Sequence, residues 1–209
     1  MAINATNESS NYELVPSGTF IARCYSMIHI GTVSENFKGE TKQMNKVRIS
    51  WELPTEKKEF KQGEGLKPYS ISKEFTLSMN EKSNLRKFLE GWRGTGFTDS
   101  EAKIFDITKL LGVPCMVSII HRTSSQGRKY ADISSASALI KGMQAPPQFN
   151  PSFEFSFDPF DEHKFGQLPE FLKKKIASSR EYFKVMNPHH EEGGVFENNN
   201  NNNDDDLPF

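Results

Sequence analysis

Residues Ser78–Gly94 read SMNEKSNLRKFLEGWRG, and this stretch decides the fold class. Ser78 and Glu81 have the spacing of a capping box, in which a hydroxyl and a carboxylate each take up an unpaired N–H of a helix's first turn. Leu85, Phe88, Leu89 and Trp92 follow at i, i+3, i+4 and i+7, one apolar stripe. Gly91 and Gly94 predict where that helix ends. A central helix is therefore expected in a chain whose neighbouring segments alternate as strands do.

Upstream, Tyr69–Leu77 (YSISKEFTL) reads as a third strand and Lys46–Leu53 (KVRISWEL) as a second. The second alternates cleanly, with Val47, Ile49, Trp51 and Leu53 opposite Lys46, Arg48, Ser50 and Glu52, and Pro54 predicts its end. Thr55–Lys67 and Ser34–Asn45 are polar and contain glycine, so both are expected as loops. The long run Thr19–Val33 is a first strand with Phe20, Ala22, Cys24, Ser26, Ile28 and Ile30 on one face. Downstream, Thr98 with Glu101 forms a second capping box, and Asp106 caps a short turn closed by Gly112. Pro114–Arg122 and Arg128–Leu139 are two further strands around the short connection Thr123–Gly127. Three strands, a helix and two strands is the order of the oligonucleotide-binding (OB) barrel. The expected fold is all-β with minor helix: a five-stranded OB-like barrel over residues 14–145, with the helix between strands 3 and 4.

Residues 1–13 are polar and unpatterned, a flexible lead-in. Over 146–187 a Pro/Phe-rich arm is expected, extended through Phe165. A helix over Leu168–Met186 follows, packed on the barrel through Leu168, Phe171, Leu172, Ile176 and Phe183, with Pro169 in its first turn. Residues 188–209 contain an asparagine run and predict a disordered acidic tail.

The formal net charge of -1 conceals a division. Residues 14–145 carry 20 Lys+Arg against 13 Asp+Glu, a net of +7, whereas residues 188–209 hold six acids and no Lys or Arg. A basic body with an acidic tail points to a polyanionic partner and a tail that can imitate one. No apolar run is long enough to span a bilayer, and the N-terminus lacks the basic and apolar regions of a secretion signal, so a cytoplasmic protein without membrane contact is expected. Cys24 and Cys115 lie in strand-like apolar runs, and buried free thiols are expected.

Catalytic patterns do not stand out: no Walker-type loop and no Ser/His/Asp set, and capping accounts for Asp99, Glu101 and Asp106. No catalytic residue, metal site or cofactor is expected. Binding a single strand without reading its sequence requires cations along the phosphates and aromatic faces under the bases. Candidates are Arg23 and Tyr25 on the first strand, Phe37, Lys38 and Lys42 in the following loop, and Lys46, Arg48 and Lys73 on strands 2 and 3. Arg122, Arg128, Lys129 and Tyr130 bracket the last hairpin. Arg93 is open between nucleic acid and charge pairing at the helix end, while Trp51, Phe75 and Trp92 read as core.

The segment Asp204, Asp205, Asp206, Leu207, Pro208, Phe209 (DDDLPF) resembles the C-terminal tip of bacterial single-stranded DNA-binding proteins. In that family the tip recruits replication and recombination proteins, which here implies a polymerase, a helicase-primase or a nuclease. The chemistry suits this: the acids steer, Phe209 offers a ring with a carboxylate, and Pro208 restricts the conformations lost on binding. A second resemblance rests on WELP (Trp51–Pro54), WRG (Trp92–Gly94), Phe97–Thr98, Phe105–Asp106 and LLGVPC (Leu110–Cys115), and is to small phage replication-associated proteins. Together they imply a phage-type protein that coats single-stranded DNA during replication, recombination or repair; because one OB fold alone binds few nucleotides weakly, homo-oligomers are expected in use. The alternative is a metal-dependent phage nuclease carrying such a recruitment tail.

Overall fold

Alternation in Lys46–Leu53 sets the register of the sheet. Val47, Ile49, Trp51 and Leu53 are all buried, on the inner face of strand β2 (Glu40–Lys58). A computed structural model describes residues 13–37 and 39–188, with only the backbone of Phe37. Lys38, all of the expected lead-in over 1–13 but Glu13, and all of the expected tail over 188–209 but Pro188, its DDDLPF tip included, lie outside the described residues.

β2 pairs antiparallel with β1 (Gly18–Phe37) and β3 (Lys67–Thr76). β4 (Pro114–Thr123) joins the other edge of β1, and β5 (Lys129–Ser137) follows, giving the order β3–β2–β1–β4–β5. A short sixth strand, β6 (Phe153–Phe155), runs parallel to β1. The fold is mostly β with a few helices, as the pattern of strands and one central helix predicts.

Of the two expected loops, Ser34–Asn45 is largely strand, and Thr55–Lys67 is a loop only between Lys58 and Lys67. Ser34–Asn45 belongs to a β1–β2 ribbon paired out to Phe37 and Glu40. Its far end is largely exposed, so no apolar alternation marked it as strand. Pro54 does not end β2, which continues to Lys58. The ladder to β3 shifts between Leu53 and Lys57, so Pro54 falls in a bulge where its missing N–H leaves no ladder bond unmade.

Strand β1 serves two cores because two bulges turn it over. Cys24 pairs with Trp51 and Ser26 with Ser50, leaving Tyr25 as an extra residue; Ile30 is a second, between His29 and Gly31. A one-residue insertion exchanges the faces of everything after it. Ala22, Cys24 and Met27 therefore join the main core with Trp51, Phe75, Leu85 and Trp92, whereas Ile28, Ile30 and Val33 face a second core. The single face expected for Phe20 through Ile30 is split accordingly. Cys24 and Cys115 are buried free thiols, and burial pushes Cys24 up to about 12.

Helix α1 (Asn84–Arg93) begins later than Ser78–Glu81 predicts. Ser83 is the cap, its hydroxyl accepting from Arg86 N at 3.2 Å while donating to Ser78 O at 2.7 Å, so Ser78 ends up in the preceding turn. Gly94 closes the helix at φ +70°. Gly91 lies inside it, where a Cβ would stand 2.5 Å from Ala136 O; only glycine lets α1 approach β5 this closely. Helix α2 (Asp99–Ile104) opens with the expected Thr98–Glu101 box, and Asp106 caps the 3₁₀ turn Ile107–Leu110.

The arm is folded onto β1. Besides β6 it forms α3 (Glu162–Gln167), α4 (Glu170–Ala177) and α5 (Arg180–Met186). Where one helix is expected there are two, because Ser179 caps α5 with its hydroxyl on Tyr182 N at 3.1 Å. Phe155, Leu168, Leu172 and Ile176 pack on Ile28, Ile30 and Val33, while Phe171 and Phe183, expected on the apolar side, are exposed. Two polar clamps tie the arm down. The carboxylate of Glu52, fully buried, accepts from Phe149 N at 2.6 Å and from the N and Nδ2 of Asn150 at 2.8 and 2.7 Å. Arg23 donates to Pro146 O at 2.8 Å, Ala145 O at 3.3 Å and Gly112 O at 2.6 Å.

Candidate functional site

Strand alternation turns Lys46 and Arg48 away from the main core, and the structure divides that outer face in two. At the Lys46 end, α4 covers it through alternating charges. Lys46 meets Glu35 at 2.9 Å, Lys175 reaches Glu35 at 3.1 Å and Glu74 at 2.6 Å, and Glu74 meets Arg48 at 3.3 Å. Burial opposes ionisation of Glu35, but Lys46 and Lys175 outweigh it and hold its carboxyl below the usual range. For Lys175 burial likewise opposes the charge, and Glu74 and Glu35 outweigh it, raising its pKa. Lys46 is thus neutralised where it sits.

At the other end the face is open. A cleft of about 500 Å³ lies between β3 and β5, lined by Arg48, Ser70, Ser72, Arg128, Lys129 and Tyr130, with Leu14 and Val15 at its side. The β4–β5 turn and the start of β5 carry Arg128, Lys129 and Tyr130: Gly127 takes φ +78°, and Arg128 N donates to Ser124 Oγ at 3.1 Å. Arg128, Lys129 and Tyr130 are exposed there, Tyr130 at 42%. This brings together four of the residues singled out from sequence: Arg48, Arg128, Lys129 and Tyr130. Sequence reasoning missed Ser70 and Ser72, although the alternation of YSISKEF puts both on the outer face. Their hydroxyls add donors and acceptors to the cationic wall.

The other candidates lie elsewhere. Lys73 pairs in register with Ile49, on the inner face, and its amine crosses to β5, donating to Asp132 at 2.8 Å and Ile133 O at 2.7 Å. Arg122 meets the same Asp132 at 2.9 Å. Arg23 is spent on the arm's carbonyls, and Tyr25 is the half-buried extra residue of a β1 bulge. Lys42 projects from the ribbon beside Glu40 at 3.8 Å. Arg93 does not join the cleft: its guanidinium stacks 4.0 Å from the Phe97 ring and 5.3 Å from Phe105, and its charge helps to lower the pKa of Glu90 and Glu101. The side chain of Phe37 and all of Lys38 lie outside the described residues.

The acids that could suggest a nuclease are engaged in structure. Asp99 meets Arg86 at 3.3 Å, Glu101 closes the Thr98 capping box, and Asp106 takes the N–H and hydroxyl of Thr108. Among the described residues no three His, Cys, Asp or Glu side chains group as metal ligands do. No described helix is long and apolar enough to cross a membrane. The arrangement offers three cations, one exposed aromatic face and hydroxyls in an open cleft, without an arrayed nucleophile or base. Compared with known proteins, the chain matches no family model, no curated sequence and no solved structure.

Proposed function

We propose that this protein binds single-stranded DNA without catalysing a reaction, through an OB-like body whose acidic C-terminal segment engages replication or recombination proteins. The observation that carries the reading is the cleft of Arg48, Arg128, Lys129 and Tyr130 against the outer face of β2 and β3. Cations on such a wall hold phosphates, and an exposed tyrosine offers a base a stacking face whatever its identity. The strand order supports the OB-like reading. β1 lies between β2 and β4, a helix joins β3 to β4, and Lys73 spans the gap from β3 to β5. A five-stranded barrel partly open between strands 3 and 5 has this connectivity, and its ligands lie on strands 2 and 3 and the 4–5 loop. The DDDLPF resemblance supports the recruiting half of the proposal.

Fluorescence anisotropy with labelled oligo-dT and duplex of equal length tests it. Single strands should bind tighter, with a log–log salt slope of about -1.4 for two phosphate-neutralising cations, Arg128 and Lys129, since Arg48 is already paired with Glu74. The double charge reversal Arg128→Glu/Lys129→Glu, on an exposed hairpin, should weaken binding and leave the melting temperature in place. Equal affinity for duplex, or full affinity in the reversed variant, would remove the cleft from the account. Loss of intact strand on incubation with Mg²⁺ would move the protein to the nuclease class.

A further inference from the structure

Helix α4 places an aromatic ring where a core residue is expected. Leu172 and Ile176 of this helix are buried in the second core, yet Phe171, next to Leu172 in sequence, is 56% exposed. Its ring lies 5.4 Å from the guanidinium carbon of Arg48, and Arg48 also lines the cleft between β3 and β5. Arg48 is therefore the joint between two surfaces: Tyr130, Arg128 and Lys129 on one side, Phe171 on the other. One turn along α4, exposed Lys174 shares the Phe171 face at i+3. The helix under this ring is held firmly, by Leu172 and Ile176 below and by Lys175 on Glu74 and Glu35 at its flank.

We propose that Phe171 is a second base-stacking platform, so that a single strand leaving the cleft passes over Arg48 and lays a further base on α4, with Lys174 on its phosphate. This rests on the single-strand reading above and deepens it by extending the site beyond the sheet. The occupant follows from continuity and charge. The ring adjoins a cationic cleft and is flanked by Arg48 and Lys174, a surface for an anionic chain carrying flat rings. Burial of α4 against β1 means that the platform is preformed and costs no ordering when DNA arrives.

Length dependence separates the platform from the cleft. Oligo-dT of about six nucleotides fills the cleft, and one of about sixteen covers both surfaces, within the range of sites on a single OB-like body. Phe171→Ala should weaken the long oligonucleotide by about five-fold or more and leave the short one unchanged, while Tyr130→Ala should weaken both. Phe171→Trp should bind the long strand like the wild type, its exposed indole quenched by that strand and not by the short one. If the wild type binds neither oligonucleotide, the single-strand reading itself fails. If the wild type binds and Phe171→Ala matches it on both lengths, only the platform is overturned. Quenching of Phe171→Trp by a DDDLPF peptide but not by DNA also overturns it, assigning the ring to an acidic peptide instead.

Discussion

Trp51 stands at the centre of the main core, fully buried, with its ring 5.4 Å from Phe88 and 5.6 Å from Trp92. Trp51→Ala should cost about 3–5 kcal/mol by opening a cavity among aromatic rings. The indole N–H has no acceptor among the described residues, so Trp51→Phe gives up no hydrogen bond and should cost clearly less. Urea titrations of the two variants check this, and equal losses would mean that the nitrogen is satisfied in solution. Trp51, Phe75 and Trp92 were legible as core because alternation and helical spacing report burial directly. Charged residues were less legible. Lys73 and Arg23 have side chains long enough to leave their strand positions, and what they reach, β5 for one and the arm's carbonyls for the other, lies 59 to 123 residues away in sequence.

At the scale of elements, β1 and α5 are joined where the second bulge ends. Gly31 takes φ +88°, and a Cβ there would stand 2.7 Å from Glu181 Oε2 and 2.8 Å from Ser179 Oγ. That clearance lets Glu181 accept from Thr32 N at 2.5 Å and Thr32 Oγ1 at 2.7 Å. Gly31→Ala should destabilise the protein by about 1–3 kcal/mol and raise hydrogen exchange in α5 before other elements. Unchanged exchange in α5 would mean that the helix does not depend on this clamp. The clamp also sets a pH dependence. Burial opposes ionisation of Glu181, but the Thr32 N–H and hydroxyl outweigh it and lower its pKa in the folded state. A lowered carboxyl contributes stability above its unfolded pKa and loses it as pH falls through the folded one. The gap in melting temperature between wild type and Glu181→Gln should therefore be widest at neutral pH and close on acidification below the ordinary glutamate range. A gap independent of pH would show that the carboxylate charge plays no part. None of this was legible in the sequence: the bulge that turns Ile28 and Ile30 toward the arm leaves no mark on a run of apolar residues, and their partners stand more than a hundred residues later. The Thr98–Glu101 box was legible because it is wholly local.

Across the whole molecule, the division of charge has a consequence for the proposed binding. The body over residues 14–145 is net +7, and the segment over 188–209 holds six acids without a Lys or Arg. Among the described residues much of the body's positive charge is already paired, Lys46 with Glu35 and Lys73 with Asp132 among others, whereas the cleft cations Arg128 and Lys129 are exposed near the aromatic face. Asp204–Asp206 are three consecutive negative charges and can compete for those cations. Deleting Asp204–Phe209 should therefore tighten binding to oligo-dT, and the gain should shrink as salt rises and the Debye length falls below about 10 Å. Phe209→Ala alone should leave DNA affinity nearly unchanged, because the acids remain, while removing the ring that a partner's apolar pocket would hold. Pull-down of replication proteins with wild type, Phe209→Ala and the deletion separates the two roles. If the deletion leaves DNA affinity unchanged at low salt, the acids do not reach the cleft. If Phe209→Ala retains every partner, the likeness of DDDLPF to a recruiting tip carries no function, and the segment acts only as a charge shield.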